Sequence, residues 1–155
     1  MRASTRNRGG FTLIELIASI TIIAILAAVT LPHVTAATPF EERGYADGVA
    51  ASLRQARAVA IASGCTVQFT ITAAGYQAMQ RAAAGTHCAT AGGFTTPVRR
   101  GNGANLDELK PASVVMGGNV QLVFATNGRA PGGPYTIVMG PQTVTVTDSG
   151  VVSGP

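Results

Sequence analysis

The chain has 155 residues, 19 of them glycine and none tryptophan, with 12% charged side chains and a formal net charge of +4. That length allows one small domain and its tails, and so uncharged a composition excludes a disordered polyelectrolyte. Arg2, Arg6 and Arg8 precede the first apolar run; removing these three from eleven basic side chains leaves eight against seven acidic ones, so the excess belongs to the N-terminus and the remainder is nearly neutral.

Residues 11–31 contain a single ionisable side chain, Glu15. As a helix, this stretch is long enough to cross roughly 30 Å of hydrocarbon, which predicts a transmembrane segment. Basic flanks stay on the cytoplasmic side, so the three arginines place the N-terminus inside and most of the chain across the membrane. An ordinary secretory signal peptide is the rival reading, with Val34-Thr35-Ala36 as small residues for cleavage. Its apolar run is normally about 7–15 residues, however, and an acid within it gains nothing from hydrocarbon. A plain membrane anchor explains the length but neither Glu15 nor the Gly9-Gly10 pair ahead of the run.

The stretch Gly10-Phe11-Thr12-Leu13-Ile14-Glu15-Leu16, after its short basic leader, resembles the cleavage and methylation motif of type IV pilins and type II secretion pseudopilins. The resemblance implies that residues 1–10 are a leader removed by a prepilin peptidase between Gly10 and Phe11. It further implies that the new Phe11 amine is methylated and that the apolar helix is retained. A glycine before the scissile bond lets the backbone lie extended against an enzyme, because no Cβ intervenes. In filaments of this kind the carboxylate matching Glu15 faces the N-terminal amine of a neighbouring subunit. The physics supports such a role: a lone charge in a low-dielectric bundle is costly, whereas a paired one is partly compensated and fixes axial register. Near a helix N-terminus the acid also meets the favourable end of the macrodipole.

Pro32 ends the apolar run and predicts a kink or stop, where the stalks of pilins bend; His33 reads as an interfacial imidazole with no chemistry assigned to it. Residues 40–63 predict a second helix with Glu41 and Glu42 in its first turns, weakened by Gly44 and Gly48 and closed by Gly64. Its apolar stripe is Tyr45, Val49, Leu53, Ala56, Ala60 and Ile61, with Arg54 and Arg57 off the stripe on a solvated face. Beyond Gly64 the period changes to two. Residues 65–71 and 76–80 predict a hairpin, residues 82–97 a loop, and residues 113–116, 120–125, 135–139, 143–147 and 150–153 further strands between Gly, Pro and Asn turns.

Cys65 and Cys88 are the only cysteines and form no C-x-x-C pair. In an oxidising compartment they would close a loop of about two dozen residues with a disulfide worth roughly 3 kcal/mol; in a reduced chain they would be two half-buried thiols. Geometry decides between these.

The expected fold class is α+β: a long N-terminal α-helix, transmembrane in its first half and amphipathic in its second, packed on a small antiparallel β-sheet head. The expected divisions are a leader (1–10), a transmembrane helix (11–31), a stalk and head-packing helix (32–63) and a β-rich head (64–155). Three stretches, "LRQARAVAIASGCTVQF", "VFATNGRAPGGPYTIVMG" and "VTVTDSGVVS", resemble the GspH/FimT group of minor pseudopilins and minor pilins, leaving residues 82–119 without a counterpart. This resemblance implies a pilin-like fold and a subunit at or near the tip of a short type II secretion filament. Its implied partners are other pseudopilins or pilins, met through the N-terminal helices, a prepilin peptidase and an inner-membrane assembly platform. The implied topology is a single pass through the bacterial inner membrane with a periplasmic head, and the energy comes from a separate cytoplasmic ATPase.

Catalytic patterns are missing from the sequence. A P-loop needs Gly-Lys-Ser/Thr, and the single lysine, Lys110, follows Leu109. The stretch "GNGAN" lacks the third spaced glycine of a dinucleotide fingerprint. His33 and His87 stand beside no nucleophile motif, and His87-Cys88 with Cys65 has irregular spacing for a metal. The expectation is a structural protein with no enzyme activity, cofactor or metal. DNA uptake by a FimT-like minor pilin is the functional rival. Its phosphate contacts would fall to Arg99, Arg100, Lys110 and Arg129, although the tail "DSGVVSGP" holds no basic side chain, a departure from the basic C-terminal region that this group uses for DNA. In the turn "FATNGRA", Gly128 suits a positive φ, and Arg129 either pairs with an acid or is exposed.

Overall fold

The computed structural model describes residues 12–34, 37–84 and 87–155, without side-chain detail at residues 28–38 and 83–87. The leader, the Gly10–Phe11 bond and the Phe11 amine lie outside the described residues. The chain divides into two compact units, Met1–Ala37 and Thr38–Pro155.

In the first unit, α1 spans Leu13–Val34. Thr12 caps it: its hydroxyl accepts the Glu15 N–H at 3.3 Å, and its carbonyl accepts the N–H groups of Glu15 and Leu16, each at 3.1 Å. A Thr followed three residues later by Glu is the sequence signature of such a start. The hydroxyls along the helix are satisfied by its own backbone, Ser19 donating to the Glu15 carbonyl at 2.7 Å and Thr21 to the Ala18 carbonyl at 2.8 Å. Pro32 sits inside the last turn, so α1 runs two residues past the predicted break; there a proline forfeits only one intrahelical bond. Among the described residues no helix is long and apolar enough to cross a membrane. The side chains of α1 are described over residues 13–27, short of the roughly 20 residues that a span requires.

In the second unit, α2 spans Ala37–Ser63, starting three residues before the expected helix. It ends where Gly64 takes φ +65°, the left-handed conformation that closes many helices. Tyr45, Ala46, Val49, Ala50, Leu53, Ala56 and Ala60 are buried at the three-and-four spacing of one helix face. Ile61 is a correction to the expected stripe. It is 51% exposed, because one residue beyond Ala60 the helix has turned by about 100°.

The strands are β1 (Val67–Thr72), β2 (Gly75–Arg81), β3 (Ala83–Ala84), β4 (His87–Cys88), β5 (Phe94–Pro97), β6 (Asp107–Leu109), β7 (Val120–Phe124), β8 (Tyr135–Met139), β9 (Gln142–Val146) and β10 (Val152–Ser153). The larger sheet has the order β5-β2-β1-β7, with β6 also pairing β2; the smaller has the order β10-β9-β8, and β3 pairs β4 in a ribbon. Alternate residues of the central strands, Val67, Phe69 and Ile71 on β1 and Leu122 and Phe124 on β7, join the α2 face in one core with Ile137, Val144 and Val146 of the smaller sheet.

Three expectations change. The predicted loop 82–97 contains β3, β4 and β5: β5 pairs β2, with the Arg81 guanidinium 5.1 Å from the Phe94 ring centroid. The unforeseen β6 is a wholly exposed Asp-Glu-Leu strand, made by backbone pairing to β2 and not by apolar alternation. Residues 113–116 form only an isolated bridge, Met116 to Met139. Cys65 and Cys88 are joined by a disulfide, their Cα atoms 5.4 Å apart, which ties the start of β1 to the ribbon.

Arg54 and Arg57 also depart from the solvated face expected for them. Arg57 Nε donates to the Gly128 carbonyl at 3.0 Å, and Arg54 reaches the Val152 carbonyl at 3.3 Å. Arg57 meets a pair of like-built turns, and Arg54 reaches β10 just beyond the second. In residues 125–129 the Ala125 N–H bonds Arg129 O and Gly128 N–H bonds Ala125 O; in residues 147–151 Thr147 bonds Val151 and Gly150 bonds Thr147 in the same way. Gly128 and Gly150 have φ +77° and +79°. A Cβ on Gly150 would run into the Gly128 carbonyl oxygen and stand 3.0 Å from Arg57 Nε, so the turns pack backbone to backbone beneath the arginine. Gly150→Ala therefore loses more stability than the roughly 1–2 kcal/mol of a left-handed alanine alone. Gly64→Ala, at φ +65° with nothing within 4 Å, pays only that conformational term. Urea unfolding of both variants in detergent micelles checks the ordering, and equal losses would contradict the packed-turn account.

Tyr45 is buried with its hydroxyl unpartnered, its ring centroid 6.0 Å from that of Tyr76. Burial first, then repulsion from Tyr76 and Glu108, pushes its pKa up from 10.0 to about 12. A phenol whose folded pKa lies above its unfolded value stabilises the fold fully below the unfolded pKa and loses that contribution as pH rises through the folded one. Stability is therefore expected to fall between pH 10 and about 12, by roughly 3 kcal/mol from this residue. Tyr45→Phe lessens the decline; an identical decline in the variant, measured by urea midpoints across that range, would remove Tyr45 as its source.

Candidate assembly interface

The first candidate surface is α1 taken by itself. Nine leucine and isoleucine side chains between Leu13 and Leu26 are 44–76% exposed. Burying each fully is worth about 1.5–3 kcal/mol, so this helix is driven into lipid or against other apolar helices. A helix apolar on every side has no single packing direction of its own. Glu15 breaks that uniformity. Its backbone is held by the Thr12 cap, and among the described residues no cation pairs with its carboxylate. A group fixed in the first helical turn with an open charge is suited to take an ammonium from outside the helix.

The cations that the DNA-uptake reading needs are mostly occupied in the head. Tyr76 organises one group: its hydroxyl donates to Glu108 Oε2 at 2.7 Å and accepts from Ser52 Oγ at 2.8 Å and from Arg100 Nη2 at 3.0 Å. Arg100 also pairs with Glu108 Oε2 at 3.3 Å and donates to the Asp107 carbonyl. Burial raises the Tyr76 pKa, with the Ser52 bond opposing and Glu108 reinforcing the rise. Burial works against the charge on Arg100, but attraction from Tyr76 and hydrogen bonds to Glu108 and Tyr76 outweigh it and raise its pKa. The chain Ser52–Tyr76–Glu108–Arg100 thus locks β6 and the loop before it onto β2 and α2. It holds its protons and charges in place and does not present a free base.

Arg99, next to Arg100, turns its guanidinium to the Gly103 carbonyl at 2.9 Å. Lys110 Nζ donates to the carbonyls of Pro111 and Val114. Arg129 forms an ion pair with Asp148, between the two paired turns, as one of the two outcomes expected for it. Arg99 and Arg100 share a loop, while Arg129 belongs to the turn after β7, so its engagement is separate from theirs. The sequence reading missed Ser52 and Tyr76; the one signal for them was a serine beside the apolar face of a helix that otherwise buries tyrosine, alanine, valine and leucine. Among the described residues, no three His, Cys, Asp or Glu side chains converge as a metal site.

Comparison with known families matches both parts of the chain. Residues 5–31 match the prokaryotic N-terminal methylation motif, which marks a membrane-anchored, pilin-like protein. Residues 45–152 match the type II transport protein GspH, a family of structural pseudopilins. No curated protein and no solved structure matches the chain. The second match takes in most of α2, the larger sheet and the paired turns, over two thirds of the sequence. With the capped apolar helix ahead of this head carrying the methylation motif, the chain belongs to the GspH family of type II transport proteins.

Proposed function

We propose that the chain is a minor pseudopilin built into the type II secretion pseudopilus and held to neighbouring subunits through α1. Glu15 carries this reading: it is an acid in the first turn of an exposed apolar helix, with no cation beside it among the described residues. Prepilin peptidase cuts between Gly10 and Phe11, and the methylated Phe11 amine remains a protonated cation. Phe11 and Glu15 are four residues apart in the sequence. An acid of one subunit that meets the amine of the next therefore imposes a defined axial step. The pairing compensates the cost of a buried charge without exceeding it by much, which favours register over raw affinity.

In this reading residues 1–10 are the leader and residues 11–31 cross the bacterial inner membrane with the N-terminus cytoplasmic. Residues 32–63 form the stalk and head-packing helix, and residues 64–155 stand in the periplasm. The Cys65–Cys88 bond suits that oxidising compartment. The assembly platform receives the processed subunit, a separate ATPase supplies energy, and the subunit's own work is binding without catalysis. The alternative, a FimT-like minor pilin in DNA uptake, has less to draw on. Arg100 and Arg129 are committed to acids and Lys110 to two carbonyls.

Co-expression with the secretion machinery tests the assignment. Wild type and Glu15→Ala are expected to reach the membrane equally and to yield a mature chain starting at methylated Phe11. The variant should then appear in sheared pseudopili at least tenfold less. Normal incorporation of the variant would remove the pairing role of Glu15, and a mature chain beginning at another residue would remove the processing scheme.

A further inference from the structure

We propose that the outer edge of β7 is a docking site for an extended, uncharged segment of a partner polypeptide, which adds as a further strand to the larger sheet. The Arg81 N–H bonds the Thr66 carbonyl at 3.2 Å, so the even-numbered residues of β1 turn their backbone groups to β2 and the odd-numbered ones to β7. The register pairs Val67 with Phe124, Phe69 with Leu122 and Ile71 with Val120. Those three β7 residues therefore complete the ladder with β1. Gln121 and Val123 point their N–H and C=O groups the other way, and among the described residues nothing bonds them. The result is two donors and two acceptors, repeating every second residue, about 6.6 Å apart.

Edges of this kind are normally protected by charge, proline, shortness or a covering segment, and the other edges of the two main sheets are. On the far side of the larger sheet, β5 ends in Pro97 and β6 carries Asp107 and Glu108. In the smaller sheet, β10 has two residues, and β8 is covered where the Gly117 N–H bonds the Val138 carbonyl and the Gly140 N–H bonds the Val115 carbonyl. β7, with the sequence VQLVF, has neither charge nor proline.

A cleft of about 420 Å³ opens beside this edge, lined by Thr66, Gln68, Gln121, Val123, Pro131 and Tyr135 among others. No side chain in it is charged, and the buried Thr66 hydroxyl has no partner. Backbone groups at alternate positions select an extended strand, while the neutral lining rejects charged side chains that would lose water without gaining a counter-ion.

The probe is a fluorescein-labelled, end-capped peptide of sequence Gly-Ser-Thr-Val-Thr-Val-Thr-Val-Ser-Gly, titrated by anisotropy against the full chain in detergent micelles. Saturable binding is expected, weakened at least tenfold when alternate threonines become Lys and Glu. Val123→Pro removes an outward N–H while leaving the β1 ladder intact, and should weaken binding at least tenfold. Val123→Ala should stay within about threefold, because it keeps the donor. Should Val123→Pro lower the unfolding midpoint, Gln121→Lys, which puts a charge on the edge, takes its place with the same tenfold expectation. Absence of saturable binding by wild type would overturn the proposal, as would wild-type affinity in a folded edge variant. A concentration-dependent dimer that the peptide does not displace would assign the edge to a second copy and overturn it likewise.

Discussion

The architecture of the head rests on the burial of one face of α2. Seven side chains from Tyr45 to Ala60 lie against the inward residues of both sheets, and most of them are small. Alanine occupies four of these positions, 46, 50, 56 and 60, and Val49 and Leu53 share one core with Phe69, Ile71 and Phe124. Because a helix face is fixed by its period, this contact sets which side of every central strand faces inward. It thereby sets which side, Gln68, Thr70, Gln77 and Gln121 among it, is left toward solvent.

Once that face is buried, the flanks of α2 become organising surfaces. On one flank Ser52 enters the core edge and reaches the Tyr76 hydroxyl, and through it the Arg100–Glu108 pair. On the other, Arg57 and Arg54 reach carbonyls in the turn after β7 and in the last strand. Long side chains near apolar surface commonly bury their stems and deliver a polar head to a fixed acceptor. Here the acceptors are backbone carbonyls of one turn and of β10, so the helix fastens the C-terminal part of the chain without needing a larger core.

The two units divide the work of a pseudopilin between them. α1 supplies an apolar surface with little directional preference, and in the function proposed above the acid in its first turn turns nonspecific affinity into register. In the head most of the cations are engaged internally, and β7 carries no charge.

The leader motif, the apolar run, the α2 stripe except Ile61, and the strands from β7 to β10 were legible in the sequence, because each is written in local period or in residues whose chemistry acts at short range. The Thr12–Glu15 spacing announces a helix start, and Gly64 its counterpart at the end of α2. The ribbon, β5, β6, the Tyr76 cluster and the arginine contacts were not legible. A three-residue Asp-Glu-Leu strand has no pattern of its own, and Arg57 differs in no local way from a solvated arginine. Their positions depend on which backbone lies opposite after the core closes, a long-range pairing that local sequence does not encode. The sequence by itself thus determined the class of protein and its periodic elements; tertiary packing decided the short paired strands and which charges are consumed, because both follow from what each group meets across space.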